Sequence, residues 1–279
     1  MSDVEGRINY LGDMPVRPRF YAVDYSRDNL VLRGEAVPIR DARPLQGQCS
    51  LDREGFTLQP HRSAMVDFRD QEKVEQVYLP EIERFMLDLT GAAKIVMTGG
   101  AVLRFGERSP DFGSRVNTRP ARFTHVDYTP VSAPGLLKTA LERVRFQPRR
   151  GQRYAGYNIW RVLSEPPQDV PLAVCDARSV EPGDLVTGDA IFDAPGVPEW
   201  SFEAYLVQHN PAHRWFYFSN MKPDEALVFK AIDTDDSRPA RVPHCAFDDP
   251  SCPPGVPPRA SVEARCFAFF DEDSAAGRP

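Results

Sequence analysis

Arg122-Phe123-Thr124-His125-Val126-Asp127-Tyr128 is the stretch on which the reading turns. On a strand, successive side chains alternate between two faces. His125 and Asp127 therefore share a face and can occupy adjacent positions on one metal ion. A third ligand has to come from elsewhere in the chain. His244, in Pro243-His244-Cys245-Ala246-Phe247, lies near a predicted strand end and supplies it. Two imidazoles and one carboxylate on one side of Fe(II) leave the opposite side open for a co-substrate and O₂. The blander alternative is that His-x-Asp is a chance pair and His125 a hydrogen-bonded structural residue.

Further downstream, Arg259, Ser261, Glu263 and Arg265 alternate along one predicted strand face. Burying two arginines without anions is costly, and a guanidinium fork is a natural clamp for a dicarboxylate such as 2-oxoglutarate. Arg259 is the candidate clamp for the distal carboxylate, with the Ser261 hydroxyl assisting. Arg265 reaches the carboxylate nearer the metal or pairs with Glu263, which reads as a structural partner. The competing reading makes this the solvent face of an edge strand. Tyr157, Asn158, Trp160 and Arg161 form a polar-aromatic segment that could line the substrate pocket or simply pack in the core. Asn220, Lys222 and Lys230 are weaker candidates. His61, His209 and His213 are not expected as ligands; the last two flank Asn210-Pro211, a turn signature, and are expected to face solvent.

Around these residues the chain reads as mainly β with added helices. The 27 prolines break it into short segments, which suits many strands joined by turns. Strands are predicted at 19–23, 29–32, 94–97, 101–105, 122–128, 157–163, 202–207, 215–218, 226–230, 240–242 and 261–270. A helix is predicted over 70–89, with Pro80 at its start and Ile82, Phe85, Met86 and Leu89 on its buried face. A second is predicted from Ser132, as cap, to Val144. Residues 106–120 read as a mobile loop. Many strands following a strand-borne motif point to a jelly roll, two Greek keys closed into a squashed barrel. The expected organisation is one domain over 1–270. In it, residues 1–90 pack on a barrel core of 91–270, with a helical insertion near 131–147 and a disordered acidic tail at 271–279.

Composition narrows the partners. A net charge of −6 argues against a nucleic-acid binder. No apolar run approaches the length of a membrane span, and the N-terminus lacks the pattern of a secretory signal. Five cysteines, an odd set without Cys-x-x-Cys spacing, fit a reducing, cytoplasmic setting better than a disulfide framework. Cys245 reads as a small buried residue rather than a ligand. A small-molecule substrate is expected, with neither membrane nor nucleic acid as partner, in a monomer or homodimer.

The sequence also resembles a known family. Tyr157-Asn158-Ile159-Trp160-Arg161-Val162-Leu163 and Asp169-Val170-Pro171-Leu172-Ala173-Val174-Cys175-Asp176 are similar to the Asn-x-Trp-Arg and Pro-Leu-Ala-x-Cys-Asp signatures of the AsaB/CmcJ-type hydroxylase/desaturase proteins. The segments Met221 to Lys230, Pro243-His244-x-Ala246-Phe247-x-Asp249-Pro250 and Pro258-Arg259-x-Ser261-x-Glu263-x-Arg265 resemble its C-terminal signature. His125-x-Asp127 falls where that family has its own His-x-Asp. The resemblance covers roughly residues 85–270 and leaves the first eighty unmatched. It implies a double-stranded β-helix, a jelly-roll or cupin-like barrel, and a non-haem Fe(II)/2-oxoglutarate-dependent oxygenase of secondary metabolism that hydroxylates or desaturates a small metabolite. The implied metal ligands are His125, Asp127 and His244, and the implied co-substrate clamp is Arg259. The arginine spacing also looks like the paired-arginine strand of the DNA-alkylation repair dioxygenases, which by analogy supports Arg265. Two other readings stay open: a cupin-like metalloenzyme using the triad without 2-oxoglutarate, and a non-catalytic metabolite-binding barrel.

Overall fold

The computed structural model describes residues 3–113 and 118–271. The N-terminal segment forms β1 (Val4–Leu11), β2 (Arg19–Tyr21), β3 (Leu32–Asp41) and β4 (Phe56–Pro60). In β1 the inward positions are Val4, Gly6, Ile8 and Tyr10, the period of two that a half-buried strand requires. A Cβ at Gly6 would lie 2.5 Å from Ile39 Cδ1 of the neighbouring strand, so a larger residue there would push the end of that side chain aside.

The predicted helix is present as α1 (Gln71–Lys73), a π-helical turn (Val74–Tyr78) and α2 (Leu79–Thr90). Asp70 caps it by accepting the Lys73 N–H. Pro80 sits in the first turn of α2, directly after the π-helical turn, and Gly91 ends the helix at φ 68°. Ile82 and Met86 are buried, with Phe85 and Leu89 beside them.

After β5 (Lys94–Met97) and β6 (Val102–Phe105) comes β7 (His125–Val126), far shorter than the predicted 122–128 strand. Then follow α3 (Ala133–Val144), β8 (Tyr154–Val162), β9 (Leu172–Cys175), β10 (Leu185–Phe192) and β11 (Trp200–Val207). The chain closes with β12 (Trp215–Tyr217), β13 (Glu225–Asp233), β14 (His244–Ala246) and β15 (Ala260–Phe269). Ser132 precedes α3 but does not cap it. Its Oγ takes the Thr129 N–H, while Thr129 Oγ1 accepts from the Val131 and Ser132 N–H groups. The strand predicted at 240–242 is instead β14, because Arg241 adopts a left-handed conformation at φ 62° that interrupts the extended backbone. Of residues 29–32, only Leu32 joins a strand.

Two sheets face each other, the jelly-roll arrangement. One runs β1-β3-β12-β9-β14-β7-β11-β10-β2; the other runs β4-β13-β8-β15-β5, with β6 also pairing with β15. Between them lie Phe56, Trp160, Leu172, Val174, Phe216, Leu227 and Phe229, drawn from both sheets. The outer face of the smaller sheet is covered by the π-helical turn and α2, through Tyr78, Ile82 and Met86 against Tyr157, Ile159 and Ala264. α3 packs Ala133, Leu137 and Ala140 on Tyr128, Phe267 and Phe269. β1, β3 and β4 are hydrogen-bonded members of the two sheets. The first sixty residues therefore supply strands to both sheets, while the helical run 71–90 packs on the smaller sheet as expected. The expected acidic tail, beyond Asp271, and part of the 106–120 loop lie outside the described residues.

Candidate active site

β7 and β14 are neighbours in the larger sheet, and His125 stands directly opposite His244. Cross-strand partners point to the same face, so the two rings meet with centroids 4.3 Å apart. Asp127 lies just past the end of β7. Its carboxylate oxygens are 3.9 Å from His125 Nε2 and 3.8 Å from His244 Nε2. One donor atom from each residue lies within 4.8 Å of the others, and all three residues are buried. Metal–ligand bonds of about 2 Å place donors at about this separation.

The local backbone selects the donor atoms. His125 Nδ1 is 3.1 Å from the Phe123 carbonyl, and His244 Nδ1 is 3.3 Å from that of Val242. An Nδ1–H donated to each carbonyl leaves both Nε2 lone pairs toward the centre. Burial, with His244 nearby, pushes His125 down to about 4, and burial also lowers His244. Burial alone would raise Asp127, but Arg265, the two histidines and the Asn158 amide hold it well below the usual carboxylate range. Neutral imidazoles and an ionised carboxylate are the ligating forms.

The carboxylate is fixed from behind. Arg265 Nε is 3.1 Å from Asp127 Oδ2, and Asn158 Nδ2 donates to the same oxygen. Glu263 closes the network, accepting from Asn158 at 3.1 Å and from Arg265. Asp127 Oδ1 accepts no hydrogen bond among the described residues, so it remains available to an ion. Arg265 thus pairs with Glu263, one of the two partners weighed for it, and also with Asp127, which was not among them.

Arg259 differs. It is 1% exposed, and its Nε and Nη2 have no hydrogen-bond partner among the described residues. Its guanidinium lies over the Trp160 ring at 5.7 Å. Burial, reinforced by Arg122 and Arg104, lowers it from 12.5 to about 9. Arg259, Trp160 and both histidines line one small cavity. A buried cation with no ion pair among the described residues, sharing a cavity with a 2-His-1-carboxylate set, fits a chelating dianion anchored at its far end. Ser261 is buried on the same face of β15, its Oγ 3.4 Å from the Arg104 carbonyl.

The segment Tyr157–Arg161 divides. Asn158 and Trp160 pair across the ladder with Arg265 and Glu263 and share their face. Tyr157 and Arg161 point the other way, toward α2. Tyr157 packs there with Ile82 and Met86, and Arg161 donates to the backbone carbonyl of His61 and lies over Tyr78. Strand alternation removes both from the pocket. Lys230 is also distant in role, fully buried between Asp52 and Asp233 at 3.0 Å from each. His209 is exposed as expected, but His213 is buried between Asp184 and Tyr10. Cys245 is a buried free thiol.

A larger cavity of about 290 Å³ opens over His125 and Asp127. Phe20, Asp28, Phe123, Phe192 and Phe202 contribute to its wall. None was singled out from sequence. They come from β2, two connections, β10 and β11, and no local pattern links those segments.

Comparison with known proteins agrees with this geometry. A family model described as an oxidoreductase/YMDC permease-like domain matches residues 8–269. The hydroxylase/desaturase efuI of Hormonema carpetanum is 32% identical over 255 residues, covering 85% of this chain and 84% of that protein. This chain belongs to the hydroxylase/desaturase family. The hydroxylase/desaturase asaB of Aspergillus flavus is 44% identical over 130 residues, covering 43% of this chain and 57% of its relative. The Fe(II)/2-oxoglutarate-dependent dioxygenase nvfI of Aspergillus novofumigatus is 29% identical over 240 residues, 84% of this chain and 82% of that one. A solved structure of the iron and alpha-ketoglutarate-dependent endoperoxidase NvfI has a TM-score of 0.78 at 24% identity. It covers 97% of this chain and 99% of its own, so this hydroxylase/desaturase has the same fold. No helix among its described residues is long and apolar enough to cross a membrane.

Proposed function

We propose that His125, Asp127 and His244 bind ferrous iron and that Arg259 anchors 2-oxoglutarate. In this reading the protein hydroxylates or desaturates a small organic metabolite of secondary metabolism. By family, the chain is an Fe(II)/2-oxoglutarate-dependent dioxygenase. One observation carries the residue assignment: the unpaired Arg259 guanidinium opens on the cavity that the histidine pair also lines.

With Fe(II), O₂ and 2-oxoglutarate bound, the site supplies oxidising power for a C–H bond, and the keto acid leaves as succinate and CO₂. The protein's part is position and exclusion of water. His125 and His244 present Nε2 because their backbones hold Nδ1. Arg265 and Asn158 hold Asp127 ionised and aim its free oxygen inward. Arg259, lying over Trp160, offers planar donors to a carboxylate. Ser261, beside it on β15, assists. The wide cavity over His125 and Asp127 receives the substrate. All five cysteines are unpaired, which supports a reducing, cytoplasmic setting.

The test is spectroscopic. Fe(II) and 2-oxoglutarate added without O₂ give a weak visible charge-transfer band, and Arg259→Ala loses it or needs far more co-substrate. Absence of the band in reconstituted protein refutes the assignment. Turnover without succinate would favour a cupin-like enzyme that uses the triad alone.

A further inference from the structure

The wall of the larger cavity has a composition that iron and co-substrate do not require. Phe20, Phe112, Phe123, Phe192 and Phe202 line it, and all five are only partly buried. Large aromatic side chains usually pack fully into a core; these keep exposed surface at one shared space. Their arrangement is fixed by mutual contact. Phe20 meets Phe123 edge-on at 4.9 Å, and Phe123 lies 5.3 Å from the His125 ring. Phe192 stacks with Phe202 at 5.6 Å and is backed by Trp200 at 4.3 Å and 10°.

Two of the three carboxylates on the same wall are paired with guanidinium groups. Arg122 is paired with Glu107, and Arg265 with Asp127. The Arg119 guanidinium lies over Tyr25 at 4.5 Å and Phe112 at 4.9 Å, which extends the aromatic surface. Asp28 is the exception. Its Oδ1 accepts the Tyr21 N–H at 2.7 Å. Its other oxygen has no hydrogen bond, and it has no ion pair, among the described residues. Burial raises its carboxyl to about 6, so near neutral pH it is an acceptor facing a largely apolar space.

Resting on the oxygenase reading above, we propose that the substrate is a largely apolar, ring-bearing molecule with a hydroxyl or amine that Asp28 accepts. The rings lie against Phe192 and Phe202 on one side and Phe20 and Phe123 on the other. Apolar contact supplies the affinity, and the single donor fixes which carbon faces the metal. The volume, about 290 Å³, equals roughly ten waters at ~30 Å³ each, room for a small ring system.

The test uses protein loaded with Fe(II) and 2-oxoglutarate under anaerobic conditions. The charge-transfer band is recorded first. The same sample is then titrated calorimetrically with 2-naphthol, 2-methoxynaphthalene, 2-naphthoate and decanoate. 2-Naphthol is expected to bind most tightly. Asp28→Asn is expected to weaken it about three- to tenfold and to leave 2-methoxynaphthalene unchanged, whereas Phe192→Ala weakens both. The band, retained in both variants, reports that they are folded and loaded. Tighter binding of 2-naphthoate would assign recognition to the arginines and overturn the role of Asp28. Decanoate matching 2-naphthol would overturn the requirement for a ring. A band without naphthol binding sinks the substrate proposal alone, and no band sinks the oxygenase reading.

Discussion

Replacing Arg259 with methionine should make the co-substrate-free protein more stable while removing its response to 2-oxoglutarate. The guanidinium is 1% exposed and two of its nitrogens lack partners. Its fall from 12.5 to about 9 corresponds to on the order of 5 kcal/mol against holding the charge there. Near neutral pH the group stays protonated, so the folded state bears most of that penalty. Buried ions replaced by apolar groups of similar volume typically gain about 1–4 kcal/mol, and that is the expected gain in urea unfolding without ligand. With co-substrate at a hundred times its dissociation constant, the parent should gain about 2.7 kcal/mol. Arg259→Met should gain nothing measurable. A variant less stable than the parent without ligand, or one still stabilised by 2-oxoglutarate, would refute the argument that this cation awaits an anion.

Asp127→Ala, purified with Fe(II) under anaerobic conditions, should retain less than about a tenth of the parent's iron by elemental analysis, since it loses a direct ligand. Asn158→Ala should weaken Co(II) binding about 10–100-fold in an optical titration, because Asp127 loses a donor that fixes its orientation. His61 is held down to about 4 by burial and by Arg161. Between that value and the unfolded value near 6.5, the unfolded chain binds the extra proton. Its contribution is therefore complete above about pH 6.5 and is lost as pH falls toward 4, by at most about 3 kcal/mol. In urea unfolding, His61→Gln should flatten that slope; an unchanged slope would assign it to other groups.

The site was more legible than the frame around it. His125-x-Asp127 needs only the two-residue period of a strand, and the carboxylate stayed in place although the strand ends at Val126. His244 was legible as a lone histidine near a strand end, but its register opposite His125 is set by long-range pairing that no local pattern encodes. The polar face of Arg259, Ser261, Glu263 and Arg265 was visible because alternation of charge with Val262 and Cys266 is unusual in core. The same alternation separates Asn158 and Trp160 from Tyr157 and Arg161, and applying it strictly would have removed the latter pair. β1 carries a clear Val4, Gly6, Ile8, Tyr10 period and could have been placed; β9, four buried residues without polar alternation, could not. The aromatic wall could not be anticipated, since Phe20, Phe123 and Phe192 come to one face only when β2, β10, β11 and β7 pair within the larger sheet.

β7 contains two residues and meets β14 through one register pair, His125 with His244. The larger sheet can be divided there into two panels, β1-β3-β12-β9-β14 and β7-β11-β10-β2, whose ladder at the seam is this one pair, with the Ala246 N–H to Ala121 and Thr124 N–H to Asn9 backbone bonds beside it. An ion gripped by both histidines would rivet those panels exactly where the ladder is thinnest, linking positions over a hundred residues apart in the chain. The reaction centre would then double as a fastener, and stripping the metal would loosen the seam before disturbing the smaller sheet behind it.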